Sequence, residues 1–418
     1  MIRKNKISIL IITFTVLITK INLAQFSSYP LDIDYYNFIN YKKNKIEIFG
    51  DSANYKHFFD KFNKLITRGE GKINIVHIGG SHIQADIYTW QMRRRLQTFY
   101  PGLNGGRGFV FPYKIAKTNN PFNYHADFTG NWNKCRNVEK KKCTLGLSGI
   151  VVYTNDNKAN IKIYPRKKYG FYDFNKVKIF YNVDSCNYKI SFPGKYKVLE
   201  KRINHEKKYM QILFADYYDT LDINIYKQDS LLNNKFALSA IYLENNDPGI
   251  VYNAIGINGA SIPSFLKCQN LENDLSVIKP DMLILSLGTN DAYGNKFKPE
   301  IYKQNYQKLI NIILKANPNT FILITVPNDD YLYKKYPNKN TALQETVIYE
   351  LAHKNNCGVW NLYKIMGGFN SSQIWYNNNL MVRDKIHFTK KGYILKGNLF
   401  FNAFLKTYDN YINLIKNY

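Results

Sequence analysis

Two patterns of apolar and polar residues alternate along the chain. From residue 73 to residue 97, a run of Ile and Val ends in a glycine turn and continues as an amphipathic stretch. The same pattern resumes after Pro248, where apolar runs of strand length alternate with longer stretches of helical period. It predicts strands at residues 251–256, 281–288, 320–326 and 358–362, and helices at residues 264–277, 299–316, 341–355 and from residue 389 onward.

The strands of this first pattern are continuous runs of Ile, Leu and Val, which is typical of parallel strands buried on both faces. Separated by helices, they predict a doubly wound α/β fold, a parallel sheet with helices on both of its faces. Ligands bind at the carboxyl ends of the strands in such sheets, so the residues that follow each strand are the first candidates for chemistry.

The second pattern occupies residues 107–247. Residues 176–183, 187–194 and 221–228 alternate polar and apolar side chains with a period of two, between turns rich in Gly, Asn and Asp. This favours an antiparallel β-sandwich inserted into the α/β domain, because a structureless loop of that length inside a compact domain is rare. The predicted organisation is a leader at 1–24, two parts of one α/β domain at 25–106 and 248–418, and the insertion at 107–247.

The leader prediction rests on the first residues of the chain. Arg3, Lys4 and Lys6 precede an apolar run at residues 7–18, and Ala24 supplies a small residue at a suitable cleavage position. The apolar run is short for a membrane span, so an uncleaved anchor is the second choice. We therefore expect an exported protein that is periplasmic, attached to the cell envelope or secreted.

Composition changes this picture only slightly. The net charge of +27, from 58 Lys and Arg against 31 Asp and Glu, raises the possibility of a nucleic-acid or other anionic partner. The basic residues are spread over the chain and no nucleic-acid motif accompanies them, so we expect no nucleic-acid partner. Among five cysteines, Cys135 and Cys143 are close enough to close one loop by a disulfide, and no cysteine spacing suggests a zinc site.

Ser81 is the first chemical candidate. It follows Gly79 and Gly80 at the end of a predicted strand and at the start of a predicted helix. Backbone N–H groups at a helix start can stabilise negative charge, which suits a nucleophilic serine. A serine that simply caps the helix explains this stretch equally well.

Three further stretches end predicted strands or precede the last helix. They carry Gly259 in IGINGASI, Asn290 in LSLGTNDAYG, and Asp384 with His387 in VRDKIHFTKKGY. With Ser81, this ordered set resembles the SGNH (GDSL-type) hydrolase family, over residues 73–97 and from 248 to the C-terminus. SHIQAD at residues 81–86, GGRGFVFPY at 105–113 and the β-rich insertion resemble the peptidoglycan O-acetylesterase branch, whose inserted module is similar to a carbohydrate-binding domain.

The resemblance implies a role for each matching residue. Ser81 would be the nucleophile, His387 the general base and Asp384 the residue that orients the histidine. The backbone N–H groups of Ser81 and Gly259 and the side-chain amide of Asn290 would form the oxyanion hole. Neither a cofactor nor a metal is required. The chain departs from the family at Gly80, where the GDS motif has an aspartate.

The expected function is an exported serine esterase that removes O-acetyl groups from cell-envelope or extracellular polysaccharide, peptidoglycan in the first place. Two alternatives stay open: a polysaccharide O-acetyltransferase that uses the same serine, and a catalytically decayed carbohydrate-binding protein. The acyl group, the sugar position and the oligomeric state are not determined by the sequence.

Other ionisable residues compete less well for the catalytic roles. His77 lies inside a predicted buried strand, and His82 follows the nucleophile and could line a substrate pocket. Asp86 and Asp291 are expected to be structural. The remaining histidines lack a carboxylate within an active-site motif; they are His57, His125, His205 and His353.

Overall fold

The computed structural model describes residues 33–50, 53–170, 172–185, 187–294 and 296–416, and the predicted leader at 1–24 lies outside them. Everything below concerns the unit Tyr35–Tyr418. The strands are, in chain order, β1 (Ile46–Ile48), β2 (Lys72–Gly79), β3 (Gly108–Val110), β4 (Tyr124–Thr129), β5 (Asn133–Arg136), β6 (Ile150–Thr154), β7 (Lys158–Pro165), β8 (Phe174–Tyr181), β9 (Tyr188–Ser191), β10 (Val198–Asn204), β11 (Tyr209–Tyr218), β12 (Leu221–Lys227), β13 (Phe236–Glu244), β14 (Gly249–Gly256), β15 (Met282–Ser286), β16 (Phe321–Val326), β17 (Tyr331–Leu332), β18 (Tyr336–Pro337) and β19 (Gly358–Asn361).

The α-helices are, in chain order, α1 (Ala53–Arg68), α2 (Ser81–Gln84), α3 (Tyr88–Thr98), α4 (Ile262–Leu266), α5 (Leu271–Ile278), α6 (Pro299–Ala316), α7 (Asn340–Asn355), α8 (Leu362–Met366), α9 (Ser371–Asn377) and α10 (Lys390–Lys416). Among the described residues, no helix combines the length and the apolarity needed to cross a membrane.

The central sheet has the order β1-β19-β16-β15-β2-β14. Five of its strands are parallel, and β1 pairs with β19 in the antiparallel direction at one edge. Counted in chain order, the parallel strands run 2-1-3-4-5 across the sheet, so β2 lies between the second and third of them. The strand order reverses at β2, and the end of β2 is therefore where a ligand crevice opens.

The predicted doubly wound sheet is confirmed, with an antiparallel edge strand that the sequence did not reveal. Every residue of β14 and of β16 is buried, because helices cover both faces of the sheet. Helices α1, α3 and α10 pack together in one group, and helices α4 to α7 in another.

One helix prediction was wrong in its extent. A single helix was expected at residues 264–277, but the chain forms α4 and α5 with a turn between them. Asn270 precedes α5, and its backbone N–H donates to the carbonyl of Leu145 at 2.9 Å instead of to a carbonyl one turn earlier. The insertion therefore breaks the helix by supplying a competing acceptor.

The insertion consists of two antiparallel sheets. One has the order β10-β11-β8-β13-β6-β5 with β3 added on β13, and the other has the order β4-β7-β12-β9. Alternate residues of β7 and β12 are buried, as the period of two predicted. Rings from the two sheets meet between them, with Tyr188 and Phe236 at 6.0 Å and Phe192 and Phe214 at 5.2 Å between centroids. Cys135 and Cys143 form the expected disulfide, and Cys268 and Cys357 are buried free thiols.

Candidate active site

The end of β2 places Ser81 at the carboxyl edge of the sheet. Ser81 begins α2 directly after Gly79 and Gly80. A Cβ on Gly79 would clash with Ile83 and would lie 2.7 Å from the carbonyl of Ser286, so the strand can reach this turn only as glycine. On the neighbouring strand, a Cβ on Gly256 would clash with the backbone of α2. Glycines on two adjacent strands thus let α2 pack directly against the edge of the sheet.

Ser81, His387 and Asp384 form a continuous chain of hydrogen bonds. Ser81 Oγ lies 2.8 Å from His387 Nε2, and His387 Nδ1 lies 2.9 Å from Asp384 Oδ2. The carboxylate fixes the proton on Nδ1, which leaves Nε2 as the acceptor for the serine hydroxyl. The fold thus brings together three residues that the sequence separates by up to 306 positions.

The loop that carries Asp384 is held by its own backbone. Asp384 Oδ1 accepts from the N–H groups of Ile386 at 2.9 Å and His387 at 3.0 Å. Burial disfavours the charged carboxylate, but the hydrogen bonds from the His387 ring and from these N–H groups outweigh it, so the pKa of Asp384 is lowered from its ordinary value. Asp384 is therefore ionised at neutral pH and can stabilise a protonated His387.

The three expected oxyanion donors converge beside Ser81. Ser81, Gly259 and Asn290 line one cleft together with His387. Within the described part of the chain, the backbone N–H groups of Ser81 and Gly259 donate to no other group. The Asn290 amide donates one hydrogen to the carbonyl of Ala260 at 2.9 Å, which orients the amide and leaves its second hydrogen for a ligand.

The glycine that replaces the family aspartate lies against the same amide. A Cβ on Gly80 would be 3.2 Å from Asn290 Nδ2 and 3.5 Å from the carbonyl of Ala260. Gly80 has φ −89°, outside the left-handed region that requires glycine. The close approach of Asn290 is the contact that favours glycine at this position.

Several cleft residues were missed by the sequence analysis. The cleft has a volume of about 630 Å³, and its walls include Gln84 and residues 119, 120 and 122. Gln84 Nε2 donates to Thr118 Oγ1 at 2.9 Å and to the carbonyl of Asn119 at 2.8 Å, and its Oε1 accepts from the N–H of Asn258 at 2.6 Å. Gln84 lies in the recognised SHIQ stretch, but nothing in the sequence signals that residues 119–122 reach the site.

The competing histidines have other partners. His77 is buried, with Nδ1 2.6 Å from Tyr252 Oη and Nε2 2.6 Å from Ser286 Oγ, as expected for a core residue. His82 Nδ1 lies 2.8 Å from Tyr393 Oη, and its ring lies 5.1 Å from that of His387. Burial lowers the pKa of His82 well below its ordinary value, so His82 is neutral beside the ring of His387. His82 does not bond to Ser81.

Asp86 is structural, as expected. Its buried carboxylate accepts from Arg93 Nη2 at 3.1 Å, Arg107 Nη2 at 2.6 Å and Asn123 Nδ2 at 2.8 Å. Arg93 belongs to α3, whereas Arg107 and Asn123 belong to the predicted insertion. A single carboxylate therefore ties the turn after Ser81 to both parts of the molecule.

Asp291 is structural as well. Its Oδ1 accepts from the N–H of Ile262 at 3.0 Å at the start of α4, while its Oδ2 is buried with no hydrogen-bond partner among the described residues. Burial raises the pKa of Asp291 to about 7. The folded protein therefore holds a proton here between pH 4 and pH 7 that the unfolded chain has released.

This difference predicts that stability falls as the pH rises from 5 to 7.5, because the folded carboxyl must ionise in a buried position. Asp274 and Asp330, whose pKa values burial also raises to about 7, act in the same direction. Asp291→Asn keeps the acceptor for Ile262, and it should remove part of the slope when urea unfolding is measured at both pH values. An unchanged slope in this variant would contradict the assignment.

The fold and the geometry of the site are those expected of an α/β serine hydrolase. Residues 231–395 match the sequence model of the GDSL-like lipase/acylhydrolase family. The match covers less than half of the chain, and it supports a carboxylic ester hydrolase. The matched segment contains Gly259, Asn290, Asp384 and His387 but not Ser81, which precedes the two antiparallel sheets in the chain.

The fold is similar to that of one solved structure over most of its length. One described as "Peptidoglycan O-acetylesterase in action" is 20% identical and superposes with a TM-score of 0.70, covering 87% of this chain and 99% of that one. The similarity therefore extends over the inserted sheets. An acetyl xylan esterase is 22% identical over 37% of this chain and 81% of that one, with a TM-score of 0.30. A family two carbohydrate esterase from Cellvibrio japonicus is 8% identical over 68% and 99%, with a TM-score of 0.29. No curated protein matches the chain.

Proposed function

We propose that the chain is an exported serine esterase that removes O-acetyl groups from cell-envelope or extracellular polysaccharide, with peptidoglycan as its principal substrate. The observation that carries this proposal is the hydrogen-bond chain Ser81–His387–Asp384, which ends in an open cleft beside three amide donors. Because all three side chains are present and hydrogen-bonded, the site also favours a working catalyst over a decayed protein that only binds carbohydrate.

The proposed mechanism uses an acyl-serine intermediate. Ser81 Oγ attacks the acetyl carbonyl carbon while His387 Nε2 takes the hydroxyl proton. The C–O bond to the sugar then breaks, and His387 returns the proton to the sugar oxygen. A water molecule then attacks the acyl-serine carbonyl while His387 takes its proton. The bond to Ser81 Oγ breaks, Ser81 regains the proton, and acetate is released. The negative charge on the carbonyl oxygen is met by the N–H groups of Ser81 and Gly259 and by the Asn290 amide.

Two observations support a polysaccharide substrate. The cleft of about 630 Å³ is lined by side-chain amides, which suit sugar hydroxyl groups. Residues 119, 120 and 122 from the proposed insertion at 107–247 form one of its walls. The similar fold described as a peptidoglycan O-acetylesterase contains both parts, which supports peptidoglycan as the first substrate to test.

Export is supported by two features of the chain. Its Cys135–Cys143 disulfide suits an oxidising compartment, and the basic and apolar residues at 1–24 have the pattern of a cleaved leader. The net charge of +27 would also favour retention by anionic wall polymers.

The test is the release of acetate from O-acetylated peptidoglycan by the chain from residue 25 onward. A chromogenic acetate ester reports on the chemistry alone, and acetyl xylan serves as a second polysaccharide. We expect release from all three, fastest from peptidoglycan. Unchanged release by the Ser81→Ala variant would rule out the acyl-serine mechanism, and acetate transferred to added oligosaccharide in preference to water would show an acetyltransferase instead.

A further inference from the structure

One wall of the cleft continues into a group of three aromatic rings, Trp90, Phe122 and Tyr169, here called the aromatic wall. Phe122 lines the cleft with Ser81 and His387. Its ring centroid lies 4.5 Å from that of Tyr169 and 5.2 Å from that of Trp90. Trp90 Nε1 donates to the carbonyl of Tyr169 at 2.8 Å, which fixes the wall to α3. Phe122 and Tyr169 remain half-exposed.

Cationic side chains surround the aromatic wall. Lys390 Nζ lies 4.9 Å from the ring centroid of Tyr169 and 5.7 Å from that of Phe122, and it donates to Tyr169 Oη at 3.2 Å. Lys168 Nζ lies 5.0 Å from the Tyr169 centroid. Arg94 lies 5.2 Å from the ring of Trp90. For the residues with described positions, no carboxylate lies within 4.0 Å of any of these three cations.

Lys390 lies at an unusual position for a cation without a nearby carboxylate. Lys390 is the first residue of α10, three residues after His387, and the first turn of this helix contains no acidic residue. A cation at a helix N-terminus is destabilising because the helix dipole is positive there. Lys390 is instead held by rings, and its hydrogen bond is the largest of the influences that lower the pKa of Tyr169. Its ammonium therefore lies beside Phe122, a ring that lines the cleft, and no described carboxylate lies within 4.0 Å of it.

We propose that the aromatic wall and Lys390 form a subsite for a carboxylate-bearing part of the glycan adjacent to the acetylated sugar, so that the preferred substrate is an acidic O-acetylated polysaccharide. This inference rests on the proposed function. The ring faces of Phe122 and Tyr169 pack against the apolar faces of sugars, and the Lys390 ammonium pairs with the carboxylate. Lys168 adds to the positive potential at the same rim.

The test measures binding, so that it does not depend on turnover. The Ser81→Ala chain is titrated calorimetrically with O-acetylated peptidoglycan fragments and with the same fragments after carbodiimide amidation of their carboxylates. Lys390→Gln in this background should weaken binding of the acidic fragments about threefold, and Lys168→Gln with Lys390→Gln about tenfold. Amidated fragments should bind all of these variants equally.

Lys391→Gln is the matched control. It removes the same charge from the same helix turn, but the Lys391 ammonium lies over the ring of Tyr36, 5.6 Å from its centroid. The affinity of the Lys391→Gln variant for acidic fragments should stay within about twofold of that of the Ser81→Ala parent. The inference is wrong if Lys390→Gln binds acidic fragments as the parent does, or loses equal affinity for the amidated ones. A chain that binds as expected but, with Ser81 present, releases no acetate would overturn the proposed function and leave the subsite supported.

Discussion

Replacing Ser81 or His387 by alanine is expected to reduce kcat for a chromogenic acetate ester by about 10⁴- to 10⁶-fold, and replacing both should cost no more than the worse of the two. The reason is that the 2.8 Å hydrogen bond makes the two side chains a single nucleophilic unit. Without His387, the serine hydroxyl keeps its proton, and without Ser81 the base has nothing to activate. The oxyanion donors should sustain the residual rate above that in water.

The measurement is steady-state kinetics on the two single variants and the double variant, with unfolding curves to show that each is folded. His205→Gln is the matched control, because His205 Nδ1 lies 2.9 Å from Asp184 Oδ1 and this exposed pair has the same histidine–carboxylate geometry without a serine. Its kcat should equal that of the parent. Losses that multiply in the double variant would show that Ser81 and His387 act independently and would refute the proposed unit.

Most strands of the central sheet could be predicted from the sequence, but its antiparallel edge strand β1 could not. Continuous apolar runs locate β14, β15 and β16, because a strand covered on both faces has to be apolar at every position. Strand β1 is only three residues long and carries no such signal; its antiparallel pairing depends on where β19 ends in space. Helix α1 was missed although Phe58, Phe62 and Leu65 form its buried stripe, since phenylalanine fits a strand as well as a helix.

The residues of the site also fall into a group that the sequence predicts and a group that it does not. Ser81 and Asn290 follow predicted strand ends, which the parallel fold obliges to share one edge. His387 was named from the resemblance of its motif to that of a known family. Asn119 and Phe122 reach the cleft only through the packing of the insertion, as when Gln84 donates to the carbonyl of Asn119. No local pattern encodes such a contact, so the wall that would select the substrate was not predictable.

Asp86→Asn is expected to lower the free energy of unfolding by about 3–5 kcal/mol, nearly as much as Asp86→Ala. The carboxylate is the only negative charge bonded to Arg93 and Arg107 among the described residues, and all three side chains are buried. Burial disfavours its ionisation, but the two guanidinium groups outweigh that effect, and the pKa of Asp86 is lowered. An amide of the same shape can still accept a hydrogen bond but cannot balance either charge.

One carboxylate faces two guanidinium groups in this cluster, and weaker partners compensate the charge that Asp86 does not balance. Arg93 Nε donates to the carbonyl of Tyr252 at 2.9 Å, and Arg107 Nη1 to that of Phe109 at 3.1 Å. The ring of Tyr172 lies 5.8 Å from both guanidinium carbons. These contacts suffice for one excess cation but not for two, because neutral carbonyls and ring faces compensate a buried charge only in part.

Urea unfolding of Asp86→Asn and of Glu272→Gln provides the comparison. Glu272 pairs with Lys315 at 3.0 Å on the surface, so its replacement should change the free energy of unfolding by less than about 1 kcal/mol. Because Asp86 joins the turn after Ser81 to Arg107, the Asp86→Asn variant should also lose kcat at temperatures where it is still folded. A stability within about 1 kcal/mol of the parent would mean that the two arginines find other counter-charges, and that the insertion does not hold the catalytic turn through this carboxylate.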